Sequence, residues 1–148
     1  MKTFLFVAAS FLLSLSAIGQ QKADDFIKVS TEKHDFGKIK QNVPVSTFFQ
    51  ITNTSDKPVV IENAWGSCGC TTPEVPKEPI APKSTVKLKV NYNAASMNRF
   101  EKDVYIKLAG VSEAKVVKIT GEVLSPAAYD TYAKQKRATN APAPKAKG

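Results

Sequence analysis

Histidine occurs once in this chain, at His34, and cysteine twice, at Cys68 and Cys70. A serine or cysteine triad would have to take His34 as its base, and no nucleophile motif accompanies it. A closed zinc site wants four ligands at recognisable spacing, which one histidine and two cysteines do not provide. Phosphate loop, dinucleotide fingerprint and a carboxylate pair of defined spacing are all missing. Long apolar runs are missing too. Phe4–Leu15 is the most apolar stretch, and it is well short of the ~20 residues a bilayer span requires. These absences leave little room for an enzyme, and no cofactor is expected.

The formal charge of +8 is basic, but it is unevenly spread. From Ser125 onward there are five basic residues (Lys134, Lys136, Arg137, Lys145 and Lys147) against one acid, Asp130. Gln20 to Leu124 holds 15 basic and 12 acidic residues, so the body is nearly balanced. It has no dense basic groove with interleaved aromatics, which excludes nucleic acid as the expected partner.

The short apolar run has its own meaning. Lys2 precedes it and Ser16-Ala17-Ile18-Gly19 follows, with small residues where a signal peptidase reads. Residues 1–19 are therefore predicted to be a signal peptide cleaved before Gln20. No cysteine lies nearby, which argues against a lipoprotein. The mature chain is expected to be exported, periplasmic or extracellular, without stable membrane insertion, and its cysteines to meet an oxidising compartment.

Residues 20–25 form a polar leader, and residues 26–124 read as strands separated by turns. Phe26–Val29 is the first. His34–Ile39 follows, with Phe36 and Ile39 toward the core and Gly37 marking a bulge or close backbone approach. Val45, Thr47, Phe49 and Ile51 alternate with polar neighbours and Phe48, at strand period. The segment Asn53–Pro58 has turn chemistry. Val59, Ile61 and Trp65 predict a strand with Trp65 as a core or rim anchor. Val86–Tyr92, Val104–Leu108 and Val117–Val123 complete the set, with Pro73–Pro82 and Ala94–Phe100 as connections and Ala109–Ser112 as a hairpin turn. About seven strands and no convincing amphipathic helix predict an immunoglobulin-like antiparallel β-sandwich. Residues 125–148 are a basic tail. Tyr129–Arg137 predicts a marginal helix at most, and Ala138–Gly148 predicts disorder. Such a tail suits weak attachment to an anionic surface such as lipid headgroups or cell-wall polymer.

The marked stretch is Trp65-Gly66-Ser67-Cys68-Gly69-Cys70-Thr71. A bridge across so few residues stabilises little: about 1.5 kcal/mol by loop entropy, against about 3 for a fifteen-residue loop. Three readings stay open for the pair. The loop is locally structural, with the sulfurs oxidised or packed under Trp65; or it is a reversible dithiol; or it holds a soft ion such as Cu(I), for which His34 and Met97 are the distant further donors. His34, beside Asp35, reads as a structural residue before a ligand.

Several segments occur together in order: His34-Asp35-Phe36-Gly37-Lys38-Ile39, Phe49-Gln50-Ile51-Thr52-Asn53, Ser67-Cys68-Gly69-Cys70-Thr71, Ile80-Ala81-Pro82 and Ile119-Thr120-Gly121-Glu122-Val123. The series resembles the bacterial family known as domain of unknown function fifteen-seventy-three, over about Thr31 to Leu124. The resemblance implies an Ig-like sandwich akin to major-sperm-protein and ASH/HYDIN-type domains, on exported proteins of Gram-negative bacteria. Two positions depart from its pattern. Asn42 stands where the family often has glycine, and Lys83 where a Pro-Gly turn is common. The expectation is an exported non-catalytic binding or structural module with an unknown protein or envelope partner. The alternative is a thiol-disulfide or Cu(I)-handling protein working through Cys68 and Cys70.

Overall fold

The computed structural model describes residues 21–139. The expected signal peptide and the end of the basic tail lie outside the described residues. Eight strands form the body: β1 (Ile27–Val29), β2 (Lys33–Lys40), β3 (Val45–Asn53), β4 (Ile61–Gly66), β5 (Thr71–Glu74), β6 (Thr85–Tyr92), β7 (Asn98–Leu108) and β8 (Lys115–Leu124), followed by helix α1 (Pro126–Thr139). One sheet has the order β1-β3-β6-β5 and the other β2-β8-β7-β4. The inward residues alternate along each strand and meet between the sheets. Phe49, Ile51, Leu88 and Val90 come from one sheet, and Val104, Ile106, Val117 and Ile119 from the other, all nearly inaccessible. Each such side chain contributes about 1.5–3 kcal/mol of burial, and together they fix the sandwich.

Four features differ from the reading of the sequence. First, the second sheet is mixed: β2 pairs parallel with β8, His34 facing Ile119 and Ile39 facing Val123. The chain divides its first strands between the sheets, β1 on an edge of one and β2 on an edge of the other, so β2 meets the last strand running the same way. Second, β5 occupies the start of what reads as a proline-rich connection. It is a four-residue edge strand, where Pro73 is tolerated. Third, β7 starts at Asn98, because Phe100 pairs with Gly121 and stacks on Tyr92, ring centroids 4.1 Å apart. Fourth, α1 is longer than the marginal helix expected and runs through Ala138 to Thr139. It lies against β2 and β8.

The predicted bulge at Gly37 is present. The β2–β8 register shifts between Asp35 and Lys38, Gly37 has φ +65°, and its N–H donates to Asp35 Oδ1 at 2.9 Å. The leader is part of the body: Ala23 is buried and its N–H donates to the Glu113 carbonyl. Asn42 and Lys83, where glycine was the family pattern, both take left-handed backbone, with φ 58° and 59°. Lysine has no intrinsic preference for that region. Its Nζ reaches back to the Thr54 carbonyl at 2.6 Å and to Asp56 Oδ1 at 2.9 Å, tying the two turns together.

Candidate functional site

The Cys-Gly-Cys stretch is the crossover that carries the chain from β4 in one sheet to β5 in the other. Both of its ends are pinned. The Ser67 N–H donates to the Asp103 carbonyl at 2.8 Å, and the Asp103 N–H returns a bond to Ser67 Oγ at 3.2 Å. At the far end the Asn93 N–H donates to the Cys70 carbonyl at 3.1 Å. Within the turn, the Thr71 N–H donates to the Cys68 carbonyl at 3.1 Å, and the buried Thr71 hydroxyl lies 3.7 Å from Cys68 Sγ. Gly66 is required for this closeness. A Cβ there would press on the carbonyl oxygen and Cβ of Thr71.

Cys68 and Cys70 are joined as a disulfide, with Cα atoms 5.2 Å apart. Both are half-buried, and Gly69 between them is exposed. Cys70 packs against the edge of the core. The bridge therefore stays within one turn and does not staple sheet to sheet. His34 lies on β2, at the opposite edge of the sheet from β4, three strands across, or about 14 Å at ordinary strand spacing. Its ring packs edge-on against Phe36, centroids 4.6 Å apart. Met97 is exposed, just ahead of β7. The structure thus separates His34 from the cysteines. Among the described residues no three His, Cys, Asp or Glu side chains group as a metal site.

Of the two places expected for Trp65, core or rim, the structure gives it the rim. Ile61 pairs with Leu108 and faces the core, but the register slips between Ile61 and Asn63. That bulge adds one residue and reverses the faces beyond it. Ala64 then points inward and Trp65 outward, 41% exposed. The sulfurs are not packed under a buried tryptophan. Trp65 stacks instead on its cross-strand partner Tyr105, centroids 5.4 Å apart and planes 14° apart. Tyr105 pairs in turn with Val116, which is 39% exposed. Trp65, Tyr105 and Val116 thus form one apolar row across β4, β7 and β8, beside the crossover turn. The pattern of strands alone carries no signal for it, because the row depends on the bulge.

The rest of that outer face is charged. Lys118 lies 2.8 Å from Glu101 and 3.0 Å from Asp103, and Lys33 lies 3.3 Å from Glu101. Hydrogen bonds from Lys118 and Lys33 hold the Glu101 carboxyl below its ordinary range, and bonds to Glu101 and Asp103 hold the Lys118 ammonium above its own. These are exposed pairs, and they set the boundary of the apolar row more than they add stability.

The fold has solved counterparts at low identity. A protein of unknown function from Porphyromonas gingivalis W83 superposes with a TM-score of 0.56 at 12% identity, over 66% of this chain and 46% of that one. The ASH/PapD-like domain 7 of human CEP192 superposes at 0.53 and 6% identity, over 79% of this chain and 96% of that one. Part of the Vibrio cholerae VesB protease does so at 0.52 and 15% identity, over 68% of this chain but 33% of that chain. The chain spans less than half the length of the first solved structures it matches. At such identities the likeness is one of fold alone. No curated protein matches the sequence. Residues 27–123, from the first strand of the sandwich to the end of the last, match the family described as protein of unknown function (DUF1573), and the chain belongs to that family.

Proposed function

We propose that this protein is an exported, non-catalytic Ig-like module of the bacterial envelope that binds another protein through the face built on Trp65, Tyr105 and Val116. The exposed apolar row on an otherwise charged sheet carries this reading. Stacked aromatic rings at a surface offer large contact area at low entropic cost, and such residues dominate binding energy at protein interfaces. The distance between His34 and the cysteines argues against a Cys–His catalytic pair. The test is site-specific photo-cross-linking from position 116 in the producing bacterium. The expected result is one defined adduct in the exported fraction, lost in Trp65→Ala/Tyr105→Ala while the melting temperature falls by only a few degrees. Turnover of any substrate by the purified protein would count against the proposal, as would adducts indifferent to the two aromatics. The processed N-terminus is expected at Gln20.

A second reading is favoured by the half-exposed sulfur pair. A disulfide confined to one surface turn can exchange with an external thiol without opening the sandwich. Intact mass with and without reductant, followed by redox titration and Cu(I) binding of the reduced protein, tests it. A bridge that resists mild reduction, or a reduced form that neither reoxidises by exchange with a partner disulfide nor takes up copper, removes this reading.

A further inference from the structure

The helix α1 leaves a cleft of about 410 Å³ between itself and β2, the strand at the opposite edge of the sheet from Trp65 on β4. Phe36, Tyr129 and Tyr132 supply its apolar walls, and Lys38, Lys136 and Arg137 its charges. Lys38 Nζ stands 4.9 Å above the ring of Tyr132. No carboxylate lines the cleft. Three carboxylates flank it: Asp130 pairs with Lys40 at 2.9 Å, Asp35 accepts from the Gly37 N–H at 2.9 Å, and Glu122 is opposite Lys38 in the strand register. Lys38, Lys136 and Arg137 are exposed, whereas Tyr129 and Tyr132 are half-buried. Three cations converge here, and the sequence adds Lys145 and Lys147 a few residues beyond the helix.

We propose that this cleft and the adjoining face of α1 anchor the protein to an anionic lipid surface, with lipid phosphates received by Lys38, Lys136 and Arg137. Charge complementarity carries the choice of occupant. A cleft lined by cations and tyrosines matches the chemistry of a headgroup layer, where cations meet phosphate and phenol rings sit at the polar–apolar boundary. The helix is too polar to insert: none of its residues is buried, and no described helix is long and apolar enough to cross a membrane. Attachment is therefore peripheral and electrostatic. It is independent of the aromatic row, so one surface can hold the module in place while the other meets its partner.

Sedimentation of the purified protein with vesicles of phosphatidylcholine, with and without phosphatidylglycerol, tests the assignment. Binding is expected to the anionic vesicles alone and to fade as salt rises from about 0.05 to about 0.5 M. Each cation near such a surface is worth roughly 5-fold in partitioning. Lys38→Gln/Lys136→Gln/Arg137→Gln should therefore weaken binding on the order of 100-fold, and Lys136→Gln/Arg137→Gln, which leaves the contact with Tyr132 intact, roughly 25-fold. Lys28→Gln/Lys57→Gln/Lys87→Gln removes the same charge elsewhere and should change binding by less than about 3-fold. Trp65→Ala/Tyr105→Ala should bind vesicles as the parent does, which separates this proposal from the binding-face proposal. Equal losses in the two triple variants would overturn it, as would vesicle binding indifferent to phosphatidylglycerol, or retention on polygalacturonate without binding to vesicles.

Discussion

Asn53→Asp is expected to cost about 4 kcal/mol of folding stability at neutral pH, a drop of roughly 15–20 °C in melting temperature. Asn53 ends β3, is wholly inaccessible, and uses both ends of its amide. Its nitrogen donates to the carbonyls of Lys57 at 2.7 Å and Ile80 at 2.9 Å, and its oxygen accepts from the Ser55 N–H at 2.9 Å and the Ser55 hydroxyl at 2.7 Å. One side chain thereby closes the turn after β3 and holds the strand-like Val59–Ile80 bridge beside it. A carboxylate of the same shape would aim an oxygen at two carbonyl oxygens. Asn53→Ala should cost less, about 2–3 kcal/mol, because it orphans groups without adding a buried charge. The pair of variants separates charge from shape. Burial would raise the carboxyl pKa of the introduced aspartate, so its penalty should shrink as pH falls through that value, while the alanine variant keeps its deficit. Chemical denaturation of both variants at pH 4.5 and 7.5 checks this, and a penalty for Asn53→Asp independent of pH would refute the electrostatic account. The same geometry bears on the sequence Asn53-Thr54-Ser55, which matches an N-glycosylation acceptor. The amide that would carry a glycan is already donated twice inside the fold.

Removing both carboxylates around Lys115 should cost about 3 kcal/mol, whereas replacing the lysine itself should cost 1 kcal/mol or less. Lys115 starts β8 and is 8% exposed, and its ammonium is bonded to Asp24 of the leader and Glu32 of the β1–β2 turn. Burial alone would pull its pKa down. Hydrogen bonds and charge from Asp24 and Glu32 outweigh that and hold it above the ordinary lysine value. Asp24→Ala/Glu32→Ala leaves a desolvated cation without partners, which is the expensive half of a buried pair. The cost falls below that of a fully buried pair because both carboxylates are more than half exposed. Lys115→Met keeps the volume of the stem and removes the charge, leaving two carboxylates that water can solvate. The sign of the pH dependence follows from the raised pKa. The contribution of the triad is complete below the ordinary lysine value of 10.5 and is lost as pH rises through the higher folded-state value. Urea titrations between about pH 8 and about pH 11 should therefore show the parent losing more stability at the alkaline end than Lys115→Met, which keeps only the shared losses from groups such as Lys118. If Lys115→Met proves as damaging as the double alanine variant, the triad is a structural clamp whose worth lies in its charges, and the desolvation argument fails.

The two results concern positions of different legibility. Asn53 stands at the end of an alternating run and before a turn, so its place could be read in advance, but the four bonds that make it irreplaceable come from Ser55, Lys57 and a residue 27 positions away. Lys115 gave no sign at all. A lysine beside a run of valines reads as solvent-facing, and its partners lie 91 and 83 residues earlier.

Alternation along the chain was sufficient for most of the body. A strand has two faces, so Phe49 and Ile51, Leu88 and Val90, Val104 and Ile106, and Val117 and Ile119 each declare a buried side within a few residues. Placement of the Cys-Gly-Cys stretch in a connection was likewise legible, because glycine and serine interrupt the period there. What the three-dimensional arrangement decided depends on the neighbouring strand. The slip between Ile61 and Asn63 turns Trp65 from the core to the surface. The parallel pairing of β2 with β8 brings together the second strand and the last, and gives α1 the edge on which its tyrosines rest. Local periodicity records which side of its own strand a residue occupies. Register, bulges and packing between distant segments are settled by a partner that the local pattern does not contain.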